Sequence, residues 1–268
     1  PRGRLGLAAD PDPEQLDRLR RLVTERSRRV PVQHLTGRAP FRYLELAVGP
    51  GVFIPRPETE LLVDWGLAAL AGTAAPVVVD LASGSGAIAL AIARECQQAT
   101  VYAVERSSTA LAWLRRNASG IDVNIVEGDV TDPTTLSEVD GRVDLVLCNP
   151  PYVPDGSPVD PEVREHDPGE AVFGGPDGLD VIRPVIARAA ALLRAGGAVG
   201  IEHDDSHAAA VPDLLRAAGA FEAVEEHVDL AGRPRFATAR RLADCTWPAG
   251  GDAPAAARSS GPNLEEAQ

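Results

Sequence analysis

The residues best suited to chemistry stand together in Asn149-Pro150-Pro151-Tyr152, directly behind the apolar run Val143-Asp144-Leu145-Val146-Leu147-Cys148. The run reads as a buried strand. Proline cannot donate to a ladder, so the chain must leave its sheet here. Each proline also fixes its own φ and pushes the preceding residue toward extended geometry. The Asn149 carboxamide and the carbonyls of Asn149 and Pro150 are thus held stiffly at the carboxyl end of a strand. In an open α/β sheet that edge is where ligands bind. A small, rigid, neutral set of acceptors with the Tyr152 ring beside it suits a flat NH2 group, either a carboxamide or the exocyclic amine of a base. A strand-ending turn with a packed tyrosine uses the same residue types, so a second site is needed to choose between the two.

That second site lies upstream. Val77-Val78-Val79-Asp80-Leu81 reads as a buried strand, and Ala82-Ser83-Gly84-Ser85-Gly86 follows it as a small-residue loop before the apolar helix from Ala87 to Arg94. Gly84 and Gly86 allow the backbone to approach a ligand without a Cβ clash. Such loops serve dinucleotides or S-adenosylmethionine. A dinucleotide fingerprint reads G-x-G-x-x-G, and here Ile88-Ala89 occupies the place of the third glycine. Glu105 ends the second strand, Val101 to Glu105, where an acid can accept both hydroxyls of a ribose. Asp129 ends the third strand, Val123 to Val126, either as an acceptor for an adenine amine or as a turn aspartate. In Pro55-Arg56-Pro57-Glu58-Thr59-Glu60 two prolines aim Arg56 in a set direction as a helix opens. The segment is either a rim that closes over a cofactor or a helix start with a surface ion pair.

The elements that must position these residues follow from periodicity. Strands separated by helices from Val77 onward predict a mostly parallel sheet wrapped on both faces. The last two strands, near Ala223–Val228 and Phe236–Ala239, form an antiparallel edge. The helix from Leu179 to Leu193 is expected to end at Gly196-Gly197. Upstream, Asp12-Pro13-Glu14 is a helix start, with Leu16, Leu19, Leu22 and Val23 at helical spacing to about Arg29. Phe41 to Val48, the turn Gly49-Pro50-Gly51 and Val52-Phe53-Ile54 read as a hairpin. His34 has no acid or nucleophile near it in sequence and reads as structural. The expected organisation is a partial helical N-terminal domain (1–38), a hairpin linker (39–56), an α/β domain (57–243) and a disordered tail (244–268) rich in Pro, Gly, Ala and Ser.

Composition narrows the function classes. The 268 residues are 44% hydrophobic, enough for one sizeable core. No apolar run approaches a membrane span and no apolar signal region opens the chain. It starts at Pro1 and contains no methionine, so a native start further upstream is expected. The net charge of −13, with a pI near 4.8, argues against a general grip on nucleic acid, which needs cationic side chains against phosphates. Every basic residue besides histidine is arginine, and the N-terminal segment is locally basic at Arg18, Arg20, Arg21, Arg26, Arg28 and Arg29. This is a solvated helix face or a surface for an acidic partner. Cys96, Cys148 and Cys245 show no metal-ligand spacing, so no metal is expected, and a reducing cytoplasm fits.

The segments Ile54 to Glu60, Asp80 to Leu90 and Asn149 to Tyr152, in this order and spacing, resemble the bacterial release factor glutamine methyltransferases. Phe173-Gly174-Gly175-Pro176-Asp177-Gly178-Leu179 is similar to a further segment of that family. The likeness runs from about Arg29 to Arg241, and its proline-arginine-glutamate motif is the most specific part. It implies a class I S-adenosylmethionine-dependent methyltransferase fold, Rossmann-like, behind a small helical domain longer than the one present here. It also implies S-adenosyl-L-methionine as cofactor and, as substrate, the glutamine of the Gly-Gly-Gln motif of peptide-chain release factors in translation termination.

By position, the resemblance assigns the cofactor to Ala82, Ser83, Gly84, Ser85, Gly86, Glu105, Asp129, Val130 and Asn149, with Phe53 and Arg56 closing the pocket. It assigns the glutamine to Asn149, Pro150, Pro151 and Tyr152. Ala82 stands where the family has a glycine, which is tolerated if its φ is negative. Val130 stands where some members have an aromatic. A monomer acting on protein, with neither nucleic acid nor membrane as partner, is expected. Glutamine methylation of a ribosomal protein would use the same motifs. Methylation of an adenine amine suits Asn-Pro-Pro-Tyr as well, although the acidic charge opposes it. A non-enzymatic adaptor is opposed by intact Gly84, Gly86, Glu105 and Asn149.

Overall fold

A computed structural model of the chain describes residues 12–243; the tail expected to be disordered, and Cys245, lie outside the described residues. Helices α1 (Pro13–Ser27) and α2 (Val32–Thr36) lead into a two-stranded antiparallel hairpin of β1 (Arg38–Phe41) and β2 (Leu44–Ala47). The α/β part then runs α3 (Thr59–Ala69), β3 (Val77–Leu81), α4 (Ala87–Glu95), β4 (Thr100–Glu105), α5 (Ser108–Asn117), β5 (Asn124–Glu127) and β6 (Val143–Cys148). It continues through α6 (Pro161–His166), α7 (Gly169–Val172), α8 (Ile182–Leu192), β7 (Leu193–Glu202), α9 (Ala210–Ala217), β8 (Phe221–Val228) and β9 (Pro234–Arg241).

The seven-stranded sheet has the order β5-β4-β3-β6-β7-β9-β8. Its first five strands are parallel, and β9 and β8 add an antiparallel edge. Side-chain alternation along the central strands explains why both faces must be covered. Val79, Leu81, Val146 and Cys148 enter one core with Ile182, Val185 and Ala189 of α8 and Val211 and Leu215 of α9. Val78, Leu145 and Leu147 enter the other, with Leu62 and Val63 of α3, Leu90 of α4 and Leu111 and Leu114 of α5. Among the described residues no helix is long and apolar enough to cross a membrane.

One connection fixes the position of any ligand site. From β3 the chain winds outward through β4 to β5, then crosses back to pair β6 against the other side of β3. Leu81 and Cys148 are parallel partners at the carboxyl ends of these two strands. The loop after Leu81 and the turn after Cys148 must diverge there and leave a crevice at the switch point of strand order.

Two local expectations are corrected. The hairpin turns at Arg42-Tyr43, not at Gly49-Pro50-Gly51. Arg42 adopts φ 49°, held by Glu95 at 2.5 and 2.8 Å and by the Glu60 carboxylate, which accepts its backbone N–H at 3.0 Å. Gly49-Pro50-Gly51 does turn the chain, with Val52 N–H on Gly49 O at 3.4 Å and Gly51 at φ 87°, but inside an unpaired connector, residues 48–56, rather than between two strands. Helix α8 stops at Leu192 and the chain enters β7 immediately; Gly196-Gly197 sits in a bulge between the Val143–Leu193 and Leu145–Ala198 pairs. The N-terminal helix does start at Asp12, whose carboxylate accepts the Gln15 N–H at 2.8 Å in a capping box.

Gly86 opens α4 at φ 89°, and a Cβ there would lie 2.5 Å from Leu114 Cδ1. Gly84, at φ 56°, has open space around the corresponding point. A left-handed residue with a Cβ costs about 1–2 kcal/mol, and overpacking a core costs about 1–3 kcal/mol more. Gly86→Ala is expected to lose about 2–5 kcal/mol of unfolding free energy and Gly84→Ala only about 1–2 kcal/mol, as checked by urea titrations followed by circular dichroism.

Candidate active site

The crevice at the switch point is a cleft holding about 1020 Å³, open mouth included. The β3 loop forms its floor. Ser83 donates its backbone N–H to Val104 O at 2.9 Å and its hydroxyl to Asp80 O at 3.0 Å, and Gly86 N–H returns to Ser83 O at 2.8 Å. These bonds fold the loop so tightly that Ala82 takes φ 60°. The condition under which an alanine is tolerated here, a negative φ, is not met: this residue holds the left-handed conformation and its strain at the ligand cleft. Asp80, fully buried, accepts the Ala89 N–H at 3.1 Å and so ties the loop to the first turn of α4. Burial raises its pKa to about 7.

Glu105 forms the next wall. Its carboxylate accepts the Gly84 N–H on one oxygen and the N–H groups of Arg106 and Ser107 on the other, all at 2.8 Å. Three backbone donors fix its direction and leave one lone-pair site, on the Oε2 that accepts from Gly84, for a further donor. Asp129 follows β5, takes the Thr131 N–H and hydroxyl at 2.8 Å each, and faces Arg106 at 3.3 Å. These donors hold its pKa below the usual range against the opposing effect of burial. Asp129 is thus both a turn residue and a wall of the cleft, with Val130 beside it.

Asn149 stands opposite the loop. Its Nδ2 donates to Thr59 Oγ1 at 3.1 Å, which leaves Oδ1 as the free acceptor. Tyr152 turns back from the cleft, and its hydroxyl donates to Glu202 Oε1 at 3.1 Å. Burial and the Glu202 charge push the Tyr152 pKa far up. The glycine-rich segment after α7 locks this turn from behind. Gly174 N–H donates to Val153 O and Val153 N–H to Val172 O, at 2.9 and 3.0 Å. A Cβ on Gly174 would lie 2.6 Å from Pro151 O, and one on Gly178 would strike Tyr152 O.

A strap formed by α6 and α7 covers one side, and Pro168, Glu170 and Ala171 line the cleft from it. Asp167, its side chain 1% exposed, pins the strap to the connector through Arg56 Nη2 at 2.6 Å and the Ile54 N–H. Burial raises the Asp167 pKa, while Arg56 holds it down. Arg26 of α1 reaches Glu162 of the strap at 2.7 Å.

The residues singled out from sequence divide accordingly. Phe53, Ala82, Ser83, Gly84, Ser85, Glu105, Asp129, Val130, Asn149 and Pro151 line the cleft. Arg56 does not: Asp167 draws its guanidinium away, and it stacks over the Phe53 ring at 4.9 Å. Gly86 packs beneath the loop against Leu114 and Leu90. Pro150 is buried behind Asn149, and Tyr152 is anchored on Glu202. Thr59, Asp167 and Glu202 were missed. Thr59 lay inside the proline-arginine motif, and Glu202 carried the signal that singled out Glu105, an acid ending an apolar strand. Asp167 carried none.

Comparison with known proteins agrees with this geometry. Residues 50–165 match the family model described as methyltransferase small domain. A release factor glutamine methyltransferase of Mycolicibacterium smegmatis is 52% identical over 242 residues, covering 90% of this chain and 86% of that protein. One from Streptomyces coelicolor is 48% identical, covering 86% and 83%. A methyltransferase structure from Pyrococcus furiosus superposes with a TM-score of 0.54 at 15% identity, over 84% of this chain and 98% of that one, a likeness of fold.

Arg56→Ala removes a charged hydrogen bond worth about 1.5–3 kcal/mol and leaves Asp167 unpaired. The variant is expected to expose residues 160–173 to limited proteolysis while the sheet stays intact, with partial protection restored by Arg56→Lys. Peptide mapping of the digest checks this.

Proposed function

Because the chain belongs to the release factor glutamine methyltransferase family, we propose that it transfers a methyl group from S-adenosyl-L-methionine to the side-chain nitrogen of the glutamine in the Gly-Gly-Gln motif of peptide-chain release factors. The observation that carries this reading is the neutral Asn149 carboxamide on the wall of the cleft, its Nδ2 engaged by Thr59 and its Oδ1 left as the acceptor.

The donor set suits this cofactor. Glu105, aimed by three amides, keeps one open lone-pair site, on Oε2, for a ribose hydroxyl. The loop has Gly84 where a Cβ would enter open space, so a ligand can lie directly on its backbone. Phe53 and Val130 supply apolar surface for a base, and Asp129 keeps an acceptor at the rim. When bound, the cofactor supplies an electrophilic methyl group on a positively charged sulfur.

The chain's residues then have to make a poor nucleophile reactive. An amide nitrogen shares its lone pair with the carbonyl. Asn149 Oδ1 accepts one N–H of the glutamine side chain, and the Pro150 carbonyl is the second acceptor in this reading. Holding both N–H groups fixes the nitrogen on the line of displacement. As the nitrogen acquires positive charge its N–H groups become stronger donors, so both acceptors bind the transition state better than the ground state. The amide proton is strongly acidic once the methyl has arrived and is lost to water, so the pocket needs no strong base. A neutral oxygen does this without adding a further acid beside the buried Asp80 and Glu202. Among the described residues the buried free thiols Cys96 and Cys148 suit action in a reducing cytoplasm.

Mass spectrometry of a release factor incubated with this protein and S-adenosylmethionine is expected to find one added methyl on the Gly-Gly-Gln peptide. A methyl on a ribosomal protein or on adenine instead would overturn the substrate. Asn149→Ala is expected to lower turnover by about 10²-fold or more, the loss typical of one oriented dipole, with a smaller loss of cofactor affinity. Initial rates beside calorimetric titration separate the two.

A further inference from the structure

Behind Asn149 lies a buried polar chain that the reaction described above does not itself use. Glu202 ends β7 and is 1% exposed. Tyr152 donates to its Oε1 at 3.1 Å, while Oε2 is enclosed and has no hydrogen-bond partner among the described residues. Thr59, at the first position of α3, lies beside the same carboxyl, where its hydroxyl favours the charged form, and it accepts from Asn149 Nδ2 at 3.1 Å. Glu202 thus stands one residue removed from Asn149, on a different strand and some 50 positions away in sequence.

A threonine hydroxyl has one proton and two lone pairs. If that proton goes to an ionised Glu202, which can only accept, Thr59 is left with lone pairs and must accept from Asn149. The carboxamide can satisfy it only by turning its NH2 inward, and the oxygen then faces the cleft. The reverse orientation would set two acceptors against each other behind Asn149 and present an NH2 to the NH2 of the substrate. We propose that Glu202, acting through Thr59, is the positioning residue that selects which end of the Asn149 carboxamide meets the substrate. Tyr152, held by the same carboxyl, keeps the other end of the Asn-Pro-Pro-Tyr turn in register with it.

This selection depends on the charge of Glu202. The groups that face it are Thr59 and Glu58 at the start of α3, Tyr152 in the turn, Arg235 on β9 and the Cys148 thiol on β6. Arg235 is in turn paired with Asp229 at 3.1 Å, so its pull on Glu202 is shared. Burial prevails over these partners and raises the Glu202 pKa to about 7. Above that pH the carboxylate accepts from Thr59 and the oxygen of Asn149 faces outward. Below it the carboxyl can donate to Thr59, whose own proton is then free to turn toward Asn149, and the orientation is no longer enforced.

The inference rests on the amide-methylation reading, and the test separates the two. Wild type, Thr59→Val, Thr59→Ser and Glu202→Gln are assayed between pH 6 and 9 on a release factor. Calorimetric titration with S-adenosylmethionine and circular dichroism are recorded for each. Thr59→Val is expected to lower kcat by about 10- to 100-fold, toward the loss of one oriented dipole, with KM and cofactor affinity changed far less. Thr59→Ser should recover most of the rate. Wild-type kcat should fall as pH drops through about 7, and Glu202→Gln should remove that step. A folded Thr59→Val enzyme with near-normal kcat, or an unchanged pH step in Glu202→Gln, overturns the proposal. If Thr59→Val does not fold, the pH profile of Glu202→Gln and the rate of Thr59→Ser decide. Wild type inactive on the release factor would instead overturn the substrate reading.

Discussion

The parallel pairing of Leu81 with Cys148 is the constraint on which the site depends. Two adjacent strands that end at the same level and lead away from one another cannot close the space above them. Each ends in residues that stop the ladder for a different reason. After Leu81 the chain folds into a tight loop because Ser83 and Gly86 bond within it. After Cys148 two prolines remove the donors that would extend the strand. The cleft is therefore a consequence of topology, and the loops only decide its lining. The strain at Ala82 is tolerable because hydrogen bonds on both sides, at Ser83 and through Asp80 to α4, leave its backbone no alternative.

The turn that carries Asn149 is held by parts of the chain distant in sequence. Strand β7 contributes Glu202 against Tyr152, the start of α3 contributes Thr59, and residues 172–180 lie along the back of the turn. Gly174 and Gly178 allow that last contact, since their missing Cβ atoms leave room for the carbonyls of Pro151 and Tyr152. Asp180 N–H closes onto Gly174 O at 2.9 Å and makes the segment a compact brace. Proline stiffness alone would fix the backbone of Asn149 but not the rotation of its carboxamide. That rotation needs a partner with a defined sense of hydrogen bonding; Thr59 accepts Asn149 Nδ2, and in the proposal above Glu202 sets the sense of its hydroxyl.

Much of this was legible in sequence, for identifiable reasons. The central strands are runs of Val, Leu and Ile bounded by turn residues, so their existence and order could be read from pattern alone. The ligand loop and the Asn-Pro-Pro-Tyr turn were legible because their residue types are unusual at strand ends. The hairpin was misplaced because Gly49-Pro50-Gly51 is the stronger local turn signal. The turn at Arg42-Tyr43 forms because Arg42 reaches Glu95 of α4, a partner 53 positions away. Arg56 was directed at the cofactor because two prolines showed that it points somewhere fixed. Its target, Asp167, lies 111 positions downstream and carries no local signature. Tyr152 was expected against the substrate for its ring, yet its hydroxyl decides its direction, because a buried phenol seeks a partner. Partners of this kind are set by tertiary structure, and one sequence does not display them.

The charges around the cleft also bear on which ligands it suits. Glu105 and Asp129 line it, Glu170 adds to the rim from the strap, and Asp80 and Glu202 lie buried beneath. The arginines nearby are already engaged, Arg106 with Asp129 and Arg56 with Asp167. Such a cleft has acceptors in excess of free cations, and its low-dielectric walls extend the reach of that imbalance. A ligand whose reactive end is cationic gains from this field. A pyrophosphate or a nucleic-acid backbone would have to break one of those ion pairs to find a cation, in a loop that also lacks the third glycine of a dinucleotide fingerprint. The same argument explains an uncharged acceptor at position 149. The surrounding carboxylates already favour positive charge near the methyl donor. In the proposed reaction what Asn149 adds is direction, which a carboxylate with two equivalent oxygens could not supply in the same way.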